Sequence, residues 1–180
     1  IDMQSDYGWA WGRKGRTLRL LERYDDALAC YDKALEIRPD DAWSWNGKGI
    51  VLERLKRHEE SLEHFKQATI YEPSYVWYWF NRGGALKELG RYDEAVAPME
   101  RATELMAIDP IVNDHLGDVY WSVGRFLEAE FQWKRALSFV DFGDASQEAD
   151  PDRIRRKLEV GLDQVLEEEG VEPLRLADDG

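Results

Sequence analysis

Small and large apolar residues recur along this chain at a spacing of 34 residues. Two columns hold only small residues: Gly15, Gly49, Gly83 and Gly117; Ala34, Ala68, Ala102 and Ala136. Three columns hold mostly large residues: Leu18, Leu52, Leu86 and Tyr120; Tyr24, His58, Tyr92 and Phe126; Tyr31, Phe65, Met99 and Trp133. Small residues let two helices approach closely, and large residues fill the space between them. The pattern therefore predicts one helix pair per period and a core that continues through the stacked pairs.

The spacing also divides the chain into segments. After an N-terminal extension over 1–7, four helix pairs are predicted, over 8–41, 42–75, 76–109 and 110–143. Pro39 and Pro73 end the second helices of the first two pairs, because proline cannot continue a helix. In the third pair Ala107 replaces that proline, so we expect a longer second helix. Pro98 inside the same helix predicts a kink.

The C-terminal segment predicts one more helix. Asp150 and Pro151 are typical of a helix start. Apolar residues then recur at helical spacing: Ile154, Leu158, Leu162, Val165 and Leu166. We predict a linker over 144–150, a capping helix over 151–169 with its basic residues away from the apolar stripe, and a flexible tail over 170–180. In that tail, Leu174 and Leu176 would suit a self-inhibiting peptide, although a solvated tail is favoured.

Tryptophan completes the repeat and makes the pattern resemble a known family. Trp11, Trp45 and Trp79 keep the 34-residue spacing, and the stretch Trp11–Pro39 combines the tryptophan with glycine, aromatic, alanine and proline positions. This combination resembles the tetratricopeptide-repeat (TPR) family. The resemblance implies an all-α, right-handed superhelix, an α-solenoid of four helix-turn-helix repeats plus a capping helix. It also implies a concave groove lined by the first helix of each repeat.

In the family, the second, fifth, ninth and twelfth positions of each repeat face the groove. Transferred to this chain, the sixteen positions include Gly12, Gly84 and Ile111. The other thirteen positions and one neighbouring asparagine give the candidate partner-binding residues: Trp9, Arg16, Arg19, Trp43, Asn46, Ile50, Glu53, Trp77, Phe80, Asn81, Lys87, Asp114, Asp118 and Trp121.

The tryptophans fall into two sets. Trp11, Trp45 and Trp79 occupy the family's structural position, so we expect them to pack between helices. The other set, two residues earlier in each repeat, consists of Trp9, Trp43 and Trp77. These form a row of aromatic anchors for a peptide or helix, or else they pack sideways on neighbouring first helices.

Charges in the predicted groove change sign along the array, from Arg16 and Arg19 to Asp114 and Asp118. The hypothesis is a ligand with the opposite gradient, and the alternative is solvated helix faces. Asn81 resembles one element of the clamp with which some TPR co-chaperones hold a C-terminal carboxylate. Because Asp114 and Asp118 would repel a carboxylate, we do not expect that clamp here.

Composition narrows the class of protein. The formal net charge is −13, and residues 141–180 carry 13 acidic but only 5 basic side chains. So acidic a chain repels phosphates, which argues against nucleic-acid partners. The single cysteine, Cys30, the lack of a signal-peptide pattern and the lack of a long apolar run favour a cytoplasmic protein without a membrane span. Ile1 instead of an initiator methionine indicates a fragment, from which an upstream signal could have been removed.

No catalytic motif is present in the sequence. His58, His64 and His115 lack metal-ligand spacing, and the glycines follow the repeat rather than a phosphate-binding loop. We therefore expect a non-enzymatic scaffold without cofactor or metal that binds a protein or peptide in its groove. The alternatives are a self-assembling homo-oligomer, an adaptor arm of a larger enzyme or complex, and a groove for a small molecule or lipid.

Overall fold

The computed structural model describes residues 3–141 and 150–168, and all regular secondary structure in these ranges is helical. The helices are α1 (Met3–Leu20), α2 (Tyr24–Ile37), α3 (Ala42–Arg54), α4 (His58–Tyr71), α5 (Val76–Glu88), α6 (Tyr92–Leu105), α7 (Pro110–Ser122), α8 (Phe126–Asp141) and α9 (Pro151–Glu168). They form two compact units, one containing α1–α6 and the other α7–α9. The predicted all-α class and helix-pair repeat are confirmed.

Consecutive helices pack as pairs, α1 with α2, α3 with α4, α5 with α6 and α7 with α8. Each pair is joined by the same turn, in which one residue has a left-handed backbone: Glu22, Lys56, Gly90 and Gly124. The next residue's amide donates to a carbonyl five residues earlier, as Arg23 N does to Leu18 O at 2.9 Å. This arrangement is a Schellman motif, which satisfies carbonyls at the end of a helix.

The core of each pair is a glycine on the first helix facing a large side chain on the second. A Cβ built on Gly49 would lie 2.6 Å from the Phe65 ring, and one on Gly83 would lie 2.7 Å from Met99 Cγ. Phe65 and Met99 are fully buried. The columns of small and large residues in the sequence thus correspond to direct contacts between paired helices.

The expectation of a longer second helix in the third pair is wrong. α6 ends at Leu105, the position equivalent to Ile37 in α2 and Tyr71 in α4. Although Ala107 could continue a helix, Pro110 disfavours helical backbone just before it, and Asp109 caps α7 by accepting bonds from two backbone amides. α6 runs through Pro98 without interruption, and the kink there stays a prediction.

The structure describes the segments predicted near the two ends of the chain to different extents. α1 begins at Met3, so it includes most of the segment predicted as an extension over 1–7. α9 spans Pro151–Glu168, and its first turn is capped by Asp150, whose Oδ1 accepts from Asp152 N at 3.0 Å. The predicted tail over 170–180 and most of the linker over 144–150 lie outside the described residues.

Candidate functional site

In the unit containing α1–α6, the first helices of successive pairs lie side by side, because α3 contacts both α1 and α5. The candidate residues on these helices therefore share one connected surface, which we name the first-helix surface. Its residues are Trp9, Arg16, Arg19, Trp43, Asn46, Ile50, Glu53, Trp77, Phe80, Asn81 and Lys87. The other candidates, Asp114, Asp118 and Trp121, lie on α7 in the second unit.

The row of tryptophans on the first-helix surface is uneven. Trp9 is 57 % exposed, with the Arg13 guanidinium 5.1 Å from its ring centroid. Trp43 is half-buried, since a Cβ on Gly12 of the neighbouring α1 would lie 3.0 Å from its ring. Trp77 is half-buried as well, in an edge-to-face contact with Phe80. Trp43 thus takes the sideways packing that was one alternative, whereas Trp9 is open to solvent.

In the second set, Trp45 and Trp79 each bond to the loop that precedes their own helix. Trp45 Nε1 donates to the carbonyl oxygen of Pro39 at 2.8 Å, and Trp79 Nε1 donates to that of Pro73 at 2.9 Å. The Trp45 ring also stacks on His64, with centroids 5.3 Å apart. These contacts agree with a packing role for this set.

Two amides meet near the middle of the first-helix surface. Asn81 Nδ2 on α5 donates to Asn46 Oδ1 on α3 at 2.8 Å, and both side chains are half-buried. A primary amide has two donor hydrogens and a two-fold acceptor. The pair therefore keeps the Asn46 amino group and the Asn81 carbonyl for a further partner.

An opening lies beside this amide pair. Gly84 is one helical turn from Phe80 and Asn81, and a Cβ at Gly84 would meet no atom within 4 Å. Ile50, one turn from Asn46 on α3, is half-buried. An aromatic ring and an amide on α5 therefore lie one turn from a place where its backbone is bare, and the aliphatic Ile50 lies on the neighbouring helix α3.

Both signs of charge occur on the first-helix surface. Arg16 is exposed, and Arg19 is half-buried with its guanidinium beside Tyr31. Burial raises the pKa of the Tyr31 phenol, an effect that the positive charge of Arg19 opposes. Burial also raises the pKa of Glu53, and repulsion by Glu88 adds to the rise.

The two aspartates on α7 are already held by the chain's own C-terminal helix. Asp114 is only 2 % exposed, and its carboxylate binds Arg153 and Lys157 of α9, with Lys157 Nζ 2.7 Å from Oδ1. The same Nζ lies 2.5 Å from Asp118 Oδ1. A partner would have to displace these cations to reach either carboxylate.

Sequence reasoning missed this pairing, because it directed the basic residues of α9 away from the core. The available signal was matched spacing, since Arg153 and Lys157 are four residues apart, as are Asp114 and Asp118. Trp121, the remaining α7 candidate, packs against Phe126 and Trp133.

Metal-binding and membrane-spanning features are absent from the described parts of the chain. Among residues 7–140 and 150–161, three or more potential metal-ligating side chains do not come together anywhere. Within 3–141 and 150–168, each helix is too short or too polar to cross a bilayer.

Comparison with protein families gives two matches, both described as tetratricopeptide repeat. One family model matches residues 6–69 and the other residues 57–110. Between them they extend from the first turns of α1 to the start of α7. A search of curated proteins found no match.

Solved structures with the same fold include TPR proteins known to hold peptides. MamA (41–end) from Desulfovibrio magneticus RS-1 has a TM-score of 0.78 at 14% identity, covering 92% of this chain and 89% of that one. YrrB, described as a TPR protein with an unusual peptide-binding site, has 0.67 at 21%, covering 87% and 84%. The first TPR of Spaghetti (RPAP3), bound to the HSP90 peptide SRMEEVD, has 0.64 at 22%, covering 69% and 99%. Identities this low establish similarity of fold alone.

Proposed function

The chain belongs to the tetratricopeptide-repeat family, and on that premise we propose that it is a non-catalytic scaffold that binds an extended peptide on the first-helix surface. The observation that carries the proposal is the hydrogen bond between Asn81 and Asn46, next to the bare backbone at Gly84. A general role in protein interaction is supported by the family and by the peptide-binding relatives YrrB and RPAP3.

The amide pair suits a peptide backbone. An extended peptide presents alternating N–H and C=O groups, so the Asn81 carbonyl and the Asn46 amino group can each bond one backbone group. Because the two asparagines already bond to each other, their orientation is set before the ligand arrives. Such preorganisation lowers the entropy cost of binding.

The groups around the amide pair suit an apolar ligand side chain. Phe80 and Trp77 form an edge-to-face pair, with centroids 5.4 Å apart, on one side of Gly84. Half-buried aromatic residues beside an open space are typical of anchor sites in protein interfaces. An aliphatic or aromatic side chain of the peptide would fill the open space over Gly84, which a larger residue at position 84 would occupy instead.

Charge limits the class of partner. A net charge of −13 disfavours nucleic acid, so the proposal names a peptide and leaves RNA and DNA out. Since Lys157 and Arg153 already neutralise Asp114 and Asp118, the proposed peptide contacts only the unit of α1–α6. A cytoplasmic location remains part of the proposal.

The test is a peptide library displayed on phage and selected on the wild-type chain. Selected peptides are then measured by fluorescence anisotropy against Gly84→Leu and Asn81→Ala. Gly84→Leu fills an open space and replaces a poor helix former, so it should leave the fold intact and weaken binding by about tenfold or more. The matched control is Arg101→Ala on α6, an exposed side chain outside the surface.

The proposal fails if selected peptides bind Gly84→Leu and Asn81→Ala as tightly as the wild type. It also fails if Arg101→Ala weakens binding as much as those two variants do.

A further inference from the structure

The second helix of the last pair, α8, exposes two large apolar side chains that its counterparts lack. Leu127 is 78 % exposed and Phe131 is 60 % exposed, and they lie one turn apart on one face of α8. We name these two residues the α8 patch. The positions equivalent to Leu127 in α2, α4 and α6 hold the acidic residues Asp25, Glu59 and Asp93. The positions equivalent to Phe131 hold Ala29, Glu63 and Ala97, and all six residues are exposed.

The comparison between helix pairs makes the α8 patch unusual. In the first three pairs this face meets water and carries residues suited to water. The core of the last pair follows the common pattern, with Ala129, Trp133 and Ala136 buried, so Leu127 and Phe131 are not needed to fill it. Adjacent exposed apolar side chains of this kind mark interaction sites.

Charges around the α8 patch follow a definite order along the helix. Two acids, Glu128 and Glu130, precede or flank Phe131, and two bases, Lys134 and Arg135, follow it. At 100° per residue, Glu128 and Arg135 lie on one side of the patch, and Glu130 and Lys134 lie on the other side. Each side of the patch therefore carries an acid toward the start of α8 and a base toward its end.

We propose that the α8 patch is the contact between two copies of this chain, with the two α8 helices antiparallel about a two-fold axis near Phe131. Such an axis brings residues from the same side of the patch together, with their order along the helix reversed. Glu128 then lies opposite Arg135 of the partner subunit, and Glu130 lies opposite Lys134 of the partner subunit. Phe131 packs near its own symmetry mate, and Leu127 packs on the aliphatic stem of the partner's Lys134.

The order of charges selects this arrangement over a parallel one. In a parallel pair each side of the patch meets the opposite side of the other copy at the same height along the helix. Glu128 then faces Glu130 of the partner subunit and Arg135 faces Lys134 of the partner subunit, and such contacts between like charges are unfavourable. The acids are held at the edge of the patch within the chain, Glu128 by Arg125 and Glu130 by Lys134. Two apolar side chains per copy make a small contact, so the dimer is weak and depends on concentration.

The first experiment measures mass by sedimentation velocity at protein concentrations from about 1 µM to about 1 mM, a range that spans weak to moderate association. The wild type should pass from monomer to dimer within this range. Leu127→Glu with Phe131→Glu should remain monomeric throughout. The matched control is Ile70→Glu on α4, an equally exposed apolar residue that should leave the wild-type behaviour unchanged.

The second experiment tests the antiparallel geometry by exchanging charges. Glu128→Lys alone places a lysine opposite the partner's Arg135, and Arg135→Glu alone places two glutamates opposite each other, so each variant should remain monomeric. An equimolar mixture of the two variants restores an opposite-charge contact at both ends of the interface. The mixture should therefore form a heterodimer, seen as energy transfer between differently labelled copies.

A wild type that stays monomeric over the whole range overturns the proposal. So does a double variant that still dimerises, or a mixture that behaves like its separate components. Thermal unfolding of each variant confirms that it is folded. Peptide binding is a separate measurement on other helices, so its failure would leave this test unaffected.

Discussion

Lys48 on α3 forms an ion pair with Asp32 on α2, with Nζ 2.5 Å from Oδ1, and so joins two consecutive helix pairs. One period later the same two positions hold Arg82 on α5 and Lys66 on α4, which have like charges. Lys66 instead binds Glu63 at 2.6 Å, and Arg82 lies over the Trp79 ring and reaches Thr69 Oγ1 at 3.3 Å. Burial lowers the pKa of Arg82, in keeping with an incompletely solvated cation.

Lys66→Asp should therefore stabilise the protein. The new carboxylate would stand relative to Arg82 as Asp32 stands relative to Lys48, and we expect a gain of about 0.5–1 kcal/mol in the free energy of unfolding. Urea unfolding of the variant measures this gain. Lys66→Ala serves as the control, and the gain should vanish when Arg82→Gln is added, because the carboxylate then has no cation to bind.

Glu22→Gly and Lys56→Gly should each raise stability. Both residues have left-handed backbone, with φ of 58° and 61°, at the turn position that holds glycine in the later pairs. Side chains disfavour this conformation, so each change should gain about 0.5–1 kcal/mol despite the greater freedom of glycine in the unfolded chain. Gly90→Ala is the mirror experiment and should lose a similar amount. A loss of stability in the first two variants would contradict the account of these turns.

The same substitution should have opposite effects at two glycines. Gly84→Ala adds a methyl group to open space on a helix, so we expect a gain of up to about 1 kcal/mol. Gly49→Ala adds it 2.6 Å from the ring of Phe65, which is fully buried, and we expect a loss of about 1–3 kcal/mol from overpacking. Thermal unfolding of both variants is the measurement, and effects of the same sign would be the contrary result.

Mild acid should weaken the fold through His64. Burial chiefly, and Lys48 next, lower the pKa of this imidazole to about 4, while Asp32 and two glutamates oppose the shift. In the unfolded chain His64 has its ordinary pKa of about 6.5. As the pH falls from about 6.5 toward 4, the unfolded chain therefore takes up a proton that the folded chain does not. His64 thus contributes stability that is complete above pH of about 6.5 and lost as the pH falls toward 4.

The size of the His64 effect should be roughly 1–2 kcal/mol, less than the full shift implies, because the ring is only half-buried and solvent screens its charge. Acidic side chains also titrate in this range, so the informative quantity is the difference between wild type and His64→Phe. The phenyl ring can keep the stack on Trp45 but cannot bind a proton. Parallel stability curves for the two proteins from pH 7 to about pH 4 would show that His64 does not contribute.

Removing the Asp114 carboxylate should loosen α9. Asp114→Ala leaves Arg153 and Lys157 without their shared buried partner, and breaking such a network costs about 3 kcal/mol. We expect faster amide exchange in α9, with α7 and α8 less affected. Asp152→Ala is the control, because its pair with Arg155 is exposed and such pairs contribute little. Equal exchange in the two variants would mean that the aspartate does not hold α9 in place.

Elements with a local cause could be predicted from the sequence. The turn before α2 and the contact of Gly49 with Phe65 depend on residues fewer than 20 positions apart. For such residues, the regular geometry of the helix fixes which side chains lie on the same face. The length of α6 could not be predicted from Ala107 alone, since Pro110 and Asp109 decide where the backbone turns. The candidate site was predictable as a set of positions but not as a set of contacts.

The repeat, the helix pairs and the family could be read from the chain alone, because a 34-residue period is present before the chain folds. The packing of Trp43, the exposure of its equivalent Trp9 and the bond between Asn46 and Asn81 became known from the folded protein. So did the ion pair between Asp114 and Lys157, which lies 43 residues away. A repeat position specifies the direction of a side chain, whereas burial and pairing depend on which neighbour lies in that direction.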